Sequence, residues 1–190
     1  MNFESNIADF ATKSQILAQS IKSIQDYPKK GILFRDITTL LQDAKAFSLS
    51  IDMLYDAFKD CRIDKIITAE SRGFFFAAPL AKMLGCGLVP VRKPNKLPRA
   101  TISEKYELEY GTNELHIHAD AVSKGERILI IDDLLATGGT LEAMVKLARR
   151  LEAEIVSIAC IIELFDLGGA KLLKDKYDVD CLTLVKLPGH

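Results

Sequence analysis

The chain has 190 residues, with 25 basic side chains against 26 acidic ones. That balance leaves no overall field to favour nucleic acid or an anionic membrane, so any phosphate must be held by local features. No stretch reaches the ~18 apolar residues of a membrane span, and the N-terminus lacks a basic segment followed by a long apolar run, so a cytoplasmic protein is expected.

Length suits one domain over residues 1–190 with a full core. Residues 4–25 place Ile7, Phe10, Leu17, Ile21 and Ile24 on one helical stripe, which Pro28 and Gly31 end. A second helix starts after Asp43, a plausible N-cap, and turns Phe47, Ile51, Leu54 and Phe58 inward. Then strand and helix patterns alternate: "DKIITA", "GFFFAAPLAKMLG", "GLVPV", "RILIID", "TLEAMVKLARRL", "EIVSIACII", "GGAKLLKD", "CLTLV". This order predicts an α/β fold, a mostly parallel doubly wound sheet flanked by helices. Ligands of such sheets bind at the carboxyl ends of the strands.

The four cysteines, Cys61, Cys86, Cys160 and Cys181, are scattered singly with no CxxC, which predicts reduced, mostly buried thiols. Residues 93–123 interrupt the alternation. "RKPNKLPRA" is basic and rich in proline, and "TISEKYELEYGTNELHIHAD" alternates apolar residues about Gly111 to Asn113. A projecting β-hairpin fits, either a lid or a surface decoration. His116 and His118 share a strand face, and a solvated face explains them better than a metal pair.

"ILIIDDLLATGGT", Ile128 to Thr140, runs a buried aliphatic strand into two carboxylates and a glycine turn. Asp132 and Asp133 sit at the strand's carboxyl end, and the turn Ala136, Thr137, Gly138, Gly139, Thr140 presents backbone N–H groups at a helix N-terminus. Neither GxxxxGK[ST] nor GxGxxG occurs, which disfavours ordinary nucleoside triphosphates and dinucleotides. Acids that accept from sugar hydroxyls beside amides that hold a phosphate point to a sugar phosphate.

The chain resembles the type I phosphoribosyltransferases, and within them the branch acting on adenine. "DYPKKGILFRDIT", "ESRGF", "VPVRKPNKLPR", "YELEYG", "IDDLLATGGT" and "ELFDLGG" carry the resemblance, from about Ile21 to His190. It implies transfer of the phosphoribosyl group of phosphoribosyl pyrophosphate (PRPP) to adenine, giving AMP and pyrophosphate in purine salvage. Asp132 and Asp133 would then engage the ribose, directly or through waters of a Mg²⁺ carried by PRPP, and the turn 136–140 the 5′-phosphate. Glu70, Ser71 and Arg72 would hold pyrophosphate, across a non-proline cis peptide between Glu70 and Ser71, and Arg92, Lys93 and Lys96 would approach it. Residues 1–40 would form an N-terminal helix and a hood, with Leu33, Phe34 and Arg35 reading the base and Leu164 touching it from the other side. Glu109 would be the general base. The resemblance also implies a homodimer and a flexible lid over 93–123. Two rivals remain open: a transferase for another purine base, and a non-catalytic regulator that senses PRPP. No appended DNA-binding segment or basic face supports the second.

Overall fold

The computed structural model describes residues 3–107 and 112–190. At the N-terminus the expected single helix is three pieces: a 3-10 turn Phe3–Asn6, helix α1 Phe10–Ser20 and strand β1 Lys22–Gln25. Asp9 lies in the left-handed region at φ 55, and Ile21 is extended, so the helix cannot run through either. Ile7, Leu17 and Ile21 are buried nonetheless, while Ile24 is 42% exposed. The apolar spacing reported burial correctly as far as Ile21 and failed at Ile24, where pairing with a distant strand overrode the helical period. That partner is β2, Leu33–Asp36, antiparallel to β1 with Ile24 opposite Phe34. A short helix α2, Thr38–Gln42, follows.

Helix α3, Ala44–Phe58, starts where expected: the Asp43 carboxylate accepts from the N–H groups of Lys45 (2.9 Å) and Ala46 (3.2 Å). This is an N-cap of the kind that satisfies orphan donors of the first turn. The alternating core then reads β3 Lys65–Ala69, α4 Phe74–Leu84, β4 Gly87–Val91, the hairpin β5 Thr101–Glu107 and β6 Thr112–His118, β7 Arg127–Leu135, α5 Gly139–Arg150, β8 Glu154–Leu164, α6 Gly169–Tyr177 and β9 Cys181–Leu187. Five strands pair in parallel in the order β4-β3-β7-β8-β9.

Strand β7 shows why its residues form a central strand. Leu129 and Ile131 join the apolar layer of α1, α3 and α4, whereas Ile128 and Ile130 join that of α5 and α6, and all four are fully buried. Side chains alternate across a strand, so a strand covered on both faces must be apolar throughout. The topology reverses between β3 and β7, the two strands that diverge from a switch point, and the crevice at their carboxyl ends is the site such sheets offer a ligand.

The hairpin is anchored at its base. Leu115 and Ile117 of β6 are buried against the α5 layer, and Arg92 and His116 exchange backbone hydrogen bonds of 2.9 and 2.8 Å. His116 is therefore not on a solvated face: its Nδ1 lies 3.1 Å from the Thr101 hydroxyl and its Nε2 3.2 Å from Glu114 Oε1. Of the four thiols only Cys160 is fully buried, and the other three are half-buried.

Candidate active site

Asp132 and Asp133 have 9% and 5% of their surface exposed and lie just inside the end of β7, which pairs with β8 for two residues more, through Leu135, than the sequence pattern predicts. Burial, and then the neighbouring Asp133 charge, pushes the Asp132 carboxyl well above the usual range. Burial also raises Asp133, although Arg72 opposes it through a 2.9 Å contact from Nε to Oδ2. Two buried carboxylates facing one guanidinium form a site short of positive charge and of hydrogen-bond donors.

The turn after β7 is built by close approach. Gly138 has φ +91, and a Cβ there would lie 3.3 Å from the Cα of Gly169. A Cβ on Gly169 would meet Ala136 O at 2.3 Å and Gly138 N at 2.9 Å. The backbone at the start of α6 is thus pressed against the turn that opens α5, a contact only glycine permits. Arg72, Asp132, Asp133, Ala136, Gly138, Gly139 and Thr140 line a cavity of about 150 Å³ there. Thr137 turns the other way, into a cavity of about 490 Å³ shared with Lys105 and Tyr106 of β5.

At the end of β3 the peptide between Glu70 and Ser71 is cis, as the resemblance implies. The Glu70 side chain is engaged within the protein. It accepts from the Lys93 N–H at 2.5 Å and lies 3.1 Å from Arg92 Nε. Burial would raise its carboxyl, but the Lys93 N–H and Arg92 outweigh it and hold it below the usual range. Glu70 therefore fastens the basic turn to the loop after β3, with Lys93 and Lys96 exposed beside it. Gly73, at the start of α4, lets Thr68 and Asp132 approach: a Cβ would lie 2.5 Å from Thr68 Oγ1 and 3.0 Å from Asp132 Oδ1.

The hood forms a second chamber. Ile24, Tyr27, Phe34, Asp36, Ile37, Thr38 and Arg72 line about 360 Å³, and the rings of Tyr27 and Phe34 meet edge to face at 5.0 Å between centroids. Arg72 reaches over Phe34, with 6.0 Å from its guanidinium carbon to the ring centroid. Asp36 is held below the usual carboxylate range by hydrogen bonds from the Thr38 hydroxyl and N–H. Leu33 is half-buried in β2 and does not line the chamber. The Arg35 guanidinium is engaged by Ser23 and the Pro188 carbonyl. Leu164 is buried in the core at the end of β8, outside the lining of this chamber. Glu109 lies outside the described residues.

Among residues brought into the site, Tyr27, Gly73 and Gly169 were not singled out from sequence. The paired glycines of "DLGG" were a visible signal for the last, and Tyr27 lies in the motif "DYPKKGILFRDIT" with no role attached to it there.

The phosphoribosyl transferase domain model matches residues 36–188. The chain belongs to that family. A curated adenine phosphoribosyltransferase of Cronobacter sakazakii is 57% identical over 95% of this chain and 98% of its own length. The crystal structure of adenine phosphoribosyltransferase from Thermoanaerobacter pseudethanolicus superposes with a TM-score of 0.86 at 50% identity, covering 92% of this chain and 99% of that one. The Saccharomyces cerevisiae enzyme, solved with an imino-altritol bisphosphate and adenine, gives 0.84 at 36% identity over 92% and 99%. The two chambers thus belong to a phosphoribosyltransferase fold.

Proposed function

We infer that this chain transfers the phosphoribosyl group of PRPP to adenine, releasing pyrophosphate and AMP, as one transferase unit over residues 1–190. One observation carries the reading: Arg72 is a wall of both chambers, so a sugar phosphate held at Asp132, Asp133 and the glycine turn would meet a flat base held under Phe34. The adenine nitrogen attacks C1′, the bond from C1′ to pyrophosphate breaks with its electron pair leaving on oxygen, and the base sheds a proton. Positive charge builds on the ribose ring on the way, as in glycoside hydrolysis.

The residues fit those demands. Asp132 and Asp133 accept from the ribose hydroxyls. The amides of Ala136 to Thr140 hold the 5′-phosphate, the loop 70–72 holds pyrophosphate, and Lys93 and Lys96 stand exposed beside it. Among the described residues β2 pairs with β1 alone, so its other edge can offer backbone N–H and C=O groups to the base edge as a sheet edge does to a strand. The two buried carboxylates are hard oxygen donors short of positive charge, which fits a Mg²⁺ brought by PRPP and water-bridged to them. Bound there, the metal would neutralise the leaving pyrophosphate. Glu109 is assigned the base proton through the family motif "LEYG".

Purine salvage in the cytoplasm suits four cysteines that form no disulfide. A homodimer suits the exposed apolar side chains on α4 and β4. Incubation with PRPP, Mg²⁺ and either adenine or hypoxanthine, followed by AMP and IMP measurement, tests the reading. Two mismatched buried contacts at about 1 to 3 kcal/mol each predict roughly ten- to ten-thousand-fold preference for adenine. Comparable turnover of hypoxanthine, or PRPP binding without turnover, would overturn it. Glu109→Gln should lower kcat by about 10² to 10⁴ while PRPP still binds.

A further inference from the structure

Among the described residues the hairpin forms a two-stranded sheet separate from the central five, and its one backbone bridge to the rest, Arg92 with His116, is made by β6 and not by β5. Two strands alone are marginal in water, so something must fix where β5 lies. Its inner side chains, Ile102 and Tyr106, pack against the α5 layer, and the carboxylate between them does more. Glu104 is half-buried, with Lys146 Nζ 3.2 Å from Oε1 and Arg150 3.6 Å from Oε2. Arg150 also donates to the Ser103 carbonyl at 2.5 Å. Lys146 and Arg150 are four residues apart on α5, on one face of the helix, where like charges repel. Glu104 is the anion between them, although Lys146 also lies 3.7 Å from Glu142.

The consequence falls on the next two residues. Lys105 and Tyr106 line the 490 Å³ cavity together with Thr137 and Gly139 of the phosphate turn, and with Glu142, Lys146 and Lys176. Helix α5 begins at that turn, so one rigid element carries both the turn and the cations that grip β5. We propose that Glu104 is a positioning residue for PRPP: by holding β5 on α5 it sets Lys105 and Tyr106 as the outer wall of the phosphate end of the site. Three lysines line the wall, Glu142 meets Lys146 and Lys176, and Glu104 meets Lys146, so a net positive charge remains that matches a phosphate. The proposal rests on the reading of residues 136–140 as the 5′-phosphate turn.

The test uses the full chain and two substitutions outside the phosphate turn, Glu104→Gln and Arg150→Gln, with the double variant. PRPP affinity is measured by calorimetry, adenine KM by steady-state kinetics, and backbone hydrogen exchange by mass spectrometry. Each single variant should weaken PRPP by about two- to five-fold, the scale of a half-exposed ion pair, with adenine KM unchanged. The double variant should lose less than the sum of the two singles, because both changes remove the Glu104–Arg150 contact, while Glu104→Gln alone also releases Lys146 and Arg150→Gln alone also removes the donor to Ser103. Exchange should quicken in residues 101–106 but not in α5. If wild-type protein binds PRPP and the variants bind it equally well, Glu104 has no positioning role. Additive losses, or an equal rise in adenine KM, would mean general loosening and overturn the proposal as well. Wild-type protein that fails to bind PRPP at all would instead sink the underlying reading of the turn.

Discussion

Gly169 is a residue whose lack of a side chain shapes the site from outside it. A methyl group there would stand 2.3 Å from Ala136 O and 2.7 Å from the Leu135 side chain, distances that real Cβ atoms do not show. Backbone must move, and overpacking of this kind costs about 1–3 kcal/mol. Gly169→Ala should therefore lower Tm by several degrees, since ~1 kcal/mol corresponds to about 2–4 °C in a chain of this size. It should also weaken PRPP by displacing the turn, and calorimetry showing unchanged affinity in the folded variant would separate the two glycine segments. Asp132 makes the opposite bargain between stability and function. Its carboxyl is raised by burial and by Asp133, so the folded state favours the protonated form. A raised carboxyl contributes stability at pH below its unfolded value, near 3.9, and loses that contribution as pH rises through the folded value. Asp132→Asn should match wild type in acid and exceed its Tm by a few degrees at pH 8, while binding PRPP less well. A variant that melts lower at pH 8 would show that the ionised carboxylate is not a strained group.

At the scale of elements, the alternating core was legible because each segment carried one period over its whole length. Strand β7 is apolar on both faces, α5 is apolar on one, and both formed at the expected places. The N-terminal region was not legible for the converse reason. Ile7, Leu17 and Ile21 fit a helix by spacing, but β1 exists through pairing with β2, and the sequence of β1 carries no trace of a partner eight residues beyond its end. The hood chamber likewise depends on Tyr27 meeting Phe34 across that ribbon. Acids and glycines of the phosphate site were visible because they are contiguous, whereas the role of Glu70 in fastening Arg92 and Lys93 needs two loops brought together by β3 and β4. The hairpin divides in the same way. Its paired strands are anchored by Leu115, Ile117 and Glu104, while Lys93 to Lys96 are exposed. Hydrogen exchange should accordingly be slow in residues 101–106 and 113–118 without ligand, and PRPP should slow chiefly 93–97. Fast exchange throughout 93–123 in the free protein would instead support a lid that moves as a whole.

On the scale of the whole molecule, the two margins of the sheet are not equivalent. Strand β9 is backed by α1 and α6, whereas β4 pairs with β3 on one side and touches β6 of the hairpin on the other, where among the described residues one backbone bridge, Arg92 with His116, follows its end. Val89 and Val91 of β4 point into the α5 layer, so Leu88 points to the face that α4 covers. There Leu88 is 41% exposed, with Phe75 at 51% and Met83 at 41% on α4. Single exposed apolar residues are ordinary, but three large ones on one edge strand and its covering helix suit an interface between copies. A homodimer formed on this margin would cover the apolar side chains and the open strand edge together, and would leave the carboxyl ends of β3 and β7 accessible to substrate. Leu88→Asp places a charge where the partner would bury it, and an unpaired buried charge is strongly unfavourable. The variant should elute at half the wild-type mass in light scattering, with its circular dichroism unchanged because the site is solvent-exposed in the monomer. A wild-type monomer would remove the homodimer, and a Leu88→Asp dimer of undiminished affinity would move its interface elsewhere; loss of AMP synthesis on dissociation would show that the active site is completed only in the pair.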